Sequence, residues 1–414
     1  MIKFDRFILK NGLTVIVHSD FSTPLVAVNV LYDVGARDEH PDRTGFAHLF
    51  EHLMFGGSVN IPRFDEPLEN VGGENNAFTS SDITNYYITI PRVNLETAFW
   101  LESDRMLSLA FSKKSLDVQR NVVSQEFNQV YLNQPYGDLW LLLKPLAYKV
   151  HPYQWNTIGK SLDHIRQAKM KDVKAFFKKY YCPSNAILVV AGNVTTPDVK
   201  KLTQKWFEPI PSGKKHKRDL PVEPKQTKER KKTVYRNVPY DVIYKAYHTC
   251  ARTDPEFYTN DLISDLLSNG KSSRLYQSLV KKKKLFSEVN AYLSGDIDKG
   301  LFIVTGKLLK GVSMKDAELS IDTELQKICK KKVDKDELQK VKNKIESTLI
   351  FSELSVLNKA MNLASAELIG NAEDVNTEIE HYLTVTPEMI QEQAQLVFKK
   401  TNCSTLYYLS KNNQ

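Results

Sequence analysis

Gly45-Phe46-Ala47-His48-Leu49-Phe50-Glu51-His52-Leu53-Met54-Phe55-Gly56 places two histidines four residues apart, with a glutamate immediately before the second. On a helix, positions i and i+4 lie on one face. Two imidazoles at that spacing can chelate one divalent metal, most often zinc. Glu51 reaches a metal-bound water without itself ligating. The order is H-x-x-E-H, the reverse of the commoner H-E-x-x-H. Phe46, Leu49, Leu53, Met54 and Phe55 make the segment apolar, so the helix is expected to be largely buried. The plain alternative is a pair of surface histidines. A histidine pair beside a carboxylate in an apolar setting needs a compensating partner, and a metal supplies one.

A catalytic zinc site takes three protein ligands and keeps one position open. The third ligand is sought in Gln119-Arg-Asn-Val-Val-Ser-Gln-Glu126-Phe-Asn-Gln129, where Glu126 is the one carboxylate among Val122, Val123, Phe127 and Val130. An exposed helical glutamate is the competing reading. Glu74 and Asp82 are next in line as ligands.

The flanking sequence reads as a mixture of strands and helices. Arg6–Val17 holds two apolar runs around Asn11-Gly12, a hairpin signal. A β-branched run follows over Val26–Tyr32, then helical spacing over residues 42–57. Strands are expected at Asn76–Thr79 and Thr84–Ile90, ended by Pro91, and helices over residues 94–110 and 115–131. Residues 209–232 are rich in Lys, Arg and Pro, and read as an exposed linker. That divides the chain into a zinc-bearing domain over 1–208 and a second domain over 233–414. The halves repeat. Ala175–Cys182 followed by Asn185–Ala191 matches Leu396–Cys403 followed by Ser404–Leu409: helix, Lys-Lys, Cys, closing strand. The helix expected around Asp261–Leu267 carries no histidine, so the repeat implies duplicated α+β halves with one metal site.

Composition limits the other classes. With 414 residues, 42% hydrophobic and 26% charged, the chain is neither disordered nor fibrous. No apolar run approaches the roughly 20 residues of a membrane helix. The opening Met1-Ile-Lys-Phe-Asp-Arg6 has no apolar core of a secretory signal. The net charge of +8 is modest, and the runs Lys281–Lys284 and Lys330–Lys332 read as solvated faces. No basic, aromatic-interleaved motif of a nucleic-acid binder is present. Cys182, Cys250, Cys329 and Cys403 are far apart and read as reduced thiols, which points to the cytoplasm.

Together these residues resemble the pitrilysin/insulinase family of zinc peptidases, which includes the mitochondrial processing peptidase subunits and short bacterial relatives. The likeness runs through Leu9–Val15, Gly45–Gly57, Gly72-Gly-Glu-Asn-Asn76-Ala77-Phe-Thr79, Arg120–Glu126, Asn133–Gly137 and Ser272–Leu275. It implies two homologous α+β halves, each a mainly antiparallel sheet covered by helices. It also implies one zinc per chain held by His48, His52 and Glu126, with Glu51 as general base and Asn76-Ala77 on the strand edge that binds substrate backbone. Two departures stand out. Gln119 occupies the place, seven residues before Glu126, where relatives often have a glutamate supporting a histidine ligand. Val280 and Ser287 occupy the places where many members carry an arginine and a tyrosine; a shifted alignment would recruit Arg274, Tyr276 or Tyr292 instead. The expected activity is zinc-dependent hydrolysis of extended peptides. The alternative is a non-catalytic or partner-dependent subunit, and a metal hydrolase of some other bond is a third reading. The resemblance points to a homologous partner chain supplying the Arg/Tyr pair, with a homodimer as the fallback, and to neither nucleic-acid binding nor membrane insertion.

Overall fold

Eleven strands account for the β-branched runs, and they fall into two sheets in a computed structural model that describes residues 1–411. The first sheet contains β1 (Asp5–Ile8), β2 (Thr14–Ser19), β3 (Leu25–Tyr32), β4 (Glu74–Thr79), β5 (Thr84–Pro91) and β6 (Ala186–Gly192). Their order is β1-β2-β6-β3-β5-β4. The second sheet contains β7 (Arg230–Arg236), β8 (Val242–His248), β9 (Phe286–Leu293), β10 (Leu301–Leu308) and β11 (Cys403–Ser410), ordered β7-β11-β8-β10-β9.

The repeat read from sequence is a repeat of topology. In each sheet the last strand of the half inserts between two earlier strands. β6 runs parallel to β2 and antiparallel to β3, and β11 runs parallel to β7 and antiparallel to β8. The remaining pairings are antiparallel. β4 and β9 are the corresponding outer strands. The hairpin joining β1 to β2 turns at Gly12, whose φ of 89° favours glycine.

β6, Ala-Ile-Leu-Val-Val-Ala-Gly, is buried at every position, so both faces of its sheet need cover. Part of that cover comes from a distant segment. Ala360, Leu363 and Ala364 of the helix Val356–Ile369 pack with Ile16, Ala27, Leu31, Val189 and Ala191. The second sheet is covered in the same manner. Leu139, Leu143 and Ala147 of the helix Leu139–Ala147 pack with Val242, Ala246, Ile303 and Leu406. The contact grouping therefore departs from the sequential division at two segments. One unit comprises Met1–Asn128, Trp155–Leu220 and Ile350–Thr377; the other comprises Gln129–Gln154, Pro221–Leu349 and Glu378–Gln414.

Residues 211–229 form no helix or strand. The segment is nevertheless anchored. Arg218 donates to Asp33 and Asp38, each at 2.8 Å, and Gln226 donates to the Cys403 carbonyl at 2.8 Å. β7 begins at Arg230, inside the expected linker. All four cysteines are free thiols. No helix among the described residues is long and apolar enough to cross a membrane.

Candidate active site

The histidine helix spans Phe46–Met54, shorter than the 42–57 expected, because the chain enters it through Gly45 at φ 88°. A Cβ there would meet Ile165 Cδ1 at 2.5 Å and the Ile158 carbonyl oxygen at 2.6 Å, so both backbone angle and space require glycine. Gly45 has no side chain with which to cap the helix. Glu39 does so from outside: its carboxylate accepts from Gly45 N at 2.9 Å and Ala47 N at 2.7 Å. Two of the four orphan N–H groups are thereby satisfied, and a carboxyl meets the positive end of the helix. Phe46, Leu49, Phe50, Leu53 and Met54 are buried, with the Phe50 ring tilted against Tyr181 at 4.4 Å between ring centroids. Burial pushes the Glu39 pKa well above the usual carboxylate range, and replacing it with alanine is expected to cost about 1–3 kcal/mol, the range for leaving buried N–H donors without a partner. A urea titration of the metal-free chain reads this, and an unchanged midpoint would remove Glu39 from the helix entry.

This packing leaves His48, Glu51 and His52 on the open face. The helix Lys113–Glu126 brings up the third group. It starts at Ser112, whose hydroxyl accepts from Ser115 N, and is tied down by Arg120, which donates to the Arg166 and Ala168 carbonyls. Glu126 is its last residue, after which the backbone widens into a π-helical turn over Phe127–Leu132. Such turns recur at functional sites. His48 Nε2 lies 3.7 Å from Glu126 Oε1, and His52 Nε2 lies 3.4 Å from Glu126 Oε2. One ligating atom from each of the three residues falls within 4.8 Å of the others. The expected alternatives stand apart: Glu74 is exposed on β4, and Asp82 is paired with Arg37 at 2.9 Å.

The protonation states suit a metal. Burial lowers the His48 pKa to about 4, only partly offset by Glu126. The imidazole is then neutral at pH 7, as a ligand must be. Contact with His52 holds the Glu126 carboxyl below its ordinary value. A pH dependence follows for the metal-free protein. Between the ordinary histidine value of about 6.5 and the folded value of about 4, the unfolded state holds more protons at His48. Stability should therefore fall as pH falls through that window. His48→Gln should flatten the dependence, measured as urea midpoints after chelation.

Glu51 lies one residue before His52 and outside the ligating trio. Its Oε2 accepts from the Thr79 hydroxyl at 2.5 Å. Burial raises its pKa, and the Thr79 bond offsets part of that. Thr79 is the site residue that sequence reading missed. The contact depends on the placement of β4 against the histidine helix, which no local pattern encodes.

Asn76 and Ala77 lie on β4, which pairs with β5 alone and is an outer strand. The Ala77 N–H donates at 2.8 Å to the side-chain oxygen of Asn76. Asn76 thus covers a backbone donor on β4. Gln119 lies on the helix Lys113–Glu126, seven residues before Glu126. Among the described residues no hydrogen bond joins it to either histidine, and His48 Nδ1 is buried without a partner.

In the second unit, Val280 packs against the apolar core on a π-helical turn over Tyr276–Lys282. Ser287 is exposed on β9 and donates to the Lys307 carbonyl at 3.2 Å. Arg274 is held by Glu337 through two bonds of 2.9 and 2.6 Å. Tyr292 packs against an apolar cluster, and burial pushes its hydroxyl up to about 12. Tyr276 is half-buried on the same turn as Val280.

Residues 14–153 match the family model described as insulinase (peptidase family M16), and residues 168–345 match the one described as peptidase M16 inactive domain. A zinc protease of Helicobacter pylori, PqqE, is 31% identical over 98% of this chain and 92% of its own. An uncharacterized zinc protease of Bacillus subtilis, YmxG, is 24% identical over 96% of each. The crystal structure of a protease from Helicobacter pylori superposes with a TM-score of 0.92 at 30% identity, covering 99% of this chain and all of the other. Pitrilysin shares the fold, with a TM-score of 0.79 at 19% identity over 45% of its length. Two family models spanning most of the sequence, and a relative at 31% identity along nearly all of it, converge on the histidine helix and its duplicated scaffold: the chain belongs to the insulinase family of peptidases.

Proposed function

We propose that this chain is a zinc-dependent peptidase acting on extended peptides, with His48, His52 and Glu126 holding one zinc and Glu51 serving as general base. The observation that carries this is the convergence of two Nε2 atoms and a carboxylate beside a second carboxylate held by Thr79. Two histidine nitrogens with one carboxylate oxygen make a zinc donor set found in metallopeptidases. Zinc, when bound, polarises the scissile carbonyl and lowers the pKa of its water toward about 7.

The chain's own residues supply the rest. Thr79 fixes Glu51 through Oε2, leaving the other carboxylate oxygen to accept the water's proton and deliver it to the leaving amine. A carboxyl raised by burial is better matched to both halves of that transfer than an ordinary one. The outer edge of β4 pairs with an extended substrate backbone, a mode tolerant of side-chain identity. Asn76 releases the Ala77 N–H as the substrate strand arrives.

Metal analysis together with cleavage of a mixed peptide library tests the reading. Zinc without peptide cleavage, but with turnover of other esters or amides, would favour a different hydrolase. Replacing His48, His52 or Glu126 should abolish zinc and cleavage together. Glu126→Gln is the informative variant, since it keeps shape while losing the anionic donor. Full zinc occupancy there would move the third ligand elsewhere.

A second reading has its own support. Val280 and Ser287 place no arginine or tyrosine where many relatives have them. That favours a chain whose activity depends on a homologous partner carrying the pair, with a homodimer as the fallback.

A further inference from the structure

The two lysine runs that read as solvated faces converge. Lys281 and Lys282, from the π-helical turn Tyr276–Lys282, and Lys330, Lys331 and Lys335, around the end of the helix Met314–Lys330, line one groove of about 1440 Å³. None of these five forms an ion pair among the described residues. Three of the four carboxylates that also line the groove are already in ion pairs. Asp322 pairs with the buried Lys245 at 2.9 Å, Glu324 with Lys327 at 2.8 Å, and Glu337 with Arg274 at 2.6 Å. Asp334 accepts from Asp336 N at 2.9 Å, at the start of the next helix. Asp334 is thus the one lining acid outside an ion pair, and it faces five exposed ammonium groups in the same concave space, a clear excess of positive charge. Charge of one sign in a cleft concentrates the field and attracts the opposite sign.

Size and lining narrow the ligand. The groove exceeds the roughly 300–1,000 Å³ of small-molecule clefts. No aromatic ring lines it, so it offers no stacking platform for nucleobases. Leu319, 63% exposed, sits among the lysines as an apolar contact that a bare polyphosphate cannot use. We propose that this groove binds an acidic segment of a polypeptide, one with glutamates or aspartates spaced around an aliphatic side chain. The site is independent of the metal centre, so its test reads binding and not turnover.

The probe is a fluorescein-labelled peptide of alternating Glu-Glu-Leu units, titrated with the full chain and followed by anisotropy. Binding should weaken as salt rises. The variant K281E/K282E/K330E/K331E should bind at least about tenfold more weakly, from the summed loss of several exposed pairs. K214E/K215E/K217E, in the linker, serves as the charge control and should bind as the parent does. Leu319→Ser should weaken the Glu-Glu-Leu peptide and leave an all-glutamate peptide unchanged. If the quadruple variant is shown by its thermal melt to be damaged, the glutamine versions of the same four positions replace it. Binding that survives these changes overturns the proposal. So does equal affinity for inorganic polyphosphate or oligo-dT with no effect of Leu319→Ser, which would make the groove a general anion trap.

Discussion

Glu51→Gln should keep its zinc and lose at least about a hundredfold in peptide turnover, the low end for removal of a general base. The glutamine has the same shape. Its amide oxygen can still accept the Thr79 hydroxyl, so the helix and strand should stay registered. Glu51 is not among the three residues whose donor atoms cluster, so metal content should not change. What disappears is the one carboxylate positioned to take a proton from an attacking water. Zinc content by mass spectrometry and kcat on a fluorogenic peptide separate the two roles. Near-parental turnover with full zinc would mean that another group moves the proton. Loss of zinc together with activity would make Glu51 a ligand and displace Glu126.

The convergence of His48, His52 and Glu126 was legible because its pattern is local. His48 and His52 share a face by helical period, and Glu126 was the one carboxylate of the segment Gln119–Gln129. The strands were legible for the same reason: β3, β5 and β6 are β-branched runs long enough to be buried. What escaped the sequence lies between elements. Glu39 caps a helix six residues away from its own position in the chain, where the usual short polar cap is a glycine. Thr79 reaches Glu51 only once β4 is laid beside the histidine helix. The exchange of covering helices is invisible to periodicity, because the apolar stripe of Leu139–Ala147 or Val356–Ile369 says that a face is buried, not which sheet buries it.

β4 links the missed residue to the expected ones. Asn76, Ala77 and Thr79 lie on one strand, with the backbone donor at Ala77 and the clamp on Glu51 at Thr79. A peptide pairing with this edge would bear on the element that positions the base. Binding energy gained along the substrate backbone would then be used to orient the reacting groups, which is where such energy raises kcat and not affinity alone.

The other large effect is expected from a second chain. Charge developing on the scissile carbonyl oxygen needs donors beyond the metal, and losing one such donor costs about 2.7–4 kcal/mol. The second unit offers few. Val280 donates nothing and is packed on the core, and Ser287 already bonds the Lys307 carbonyl. The substitutes are engaged as well: Arg274 is gripped twice by Glu337, and Tyr292 sits against an apolar cluster with its hydroxyl raised to about 12. Freeing Arg274 would break a half-buried ion pair, which is a cost a dedicated partner arginine would not bear. The purified chain alone should therefore bind zinc and cleave peptides slowly. Adding a homologous chain with arginine and tyrosine at the places of Val280 and Ser287 should raise turnover by at least about a hundredfold, the effect of regaining one such donor. Titrating that partner against fixed chain, with turnover and sedimentation read together, tests both the gain and its stoichiometry. Full activity from the chain alone, abolished by Arg274→Ala and indifferent to any partner, would place the missing donors within this sequence and end the case for a divided site.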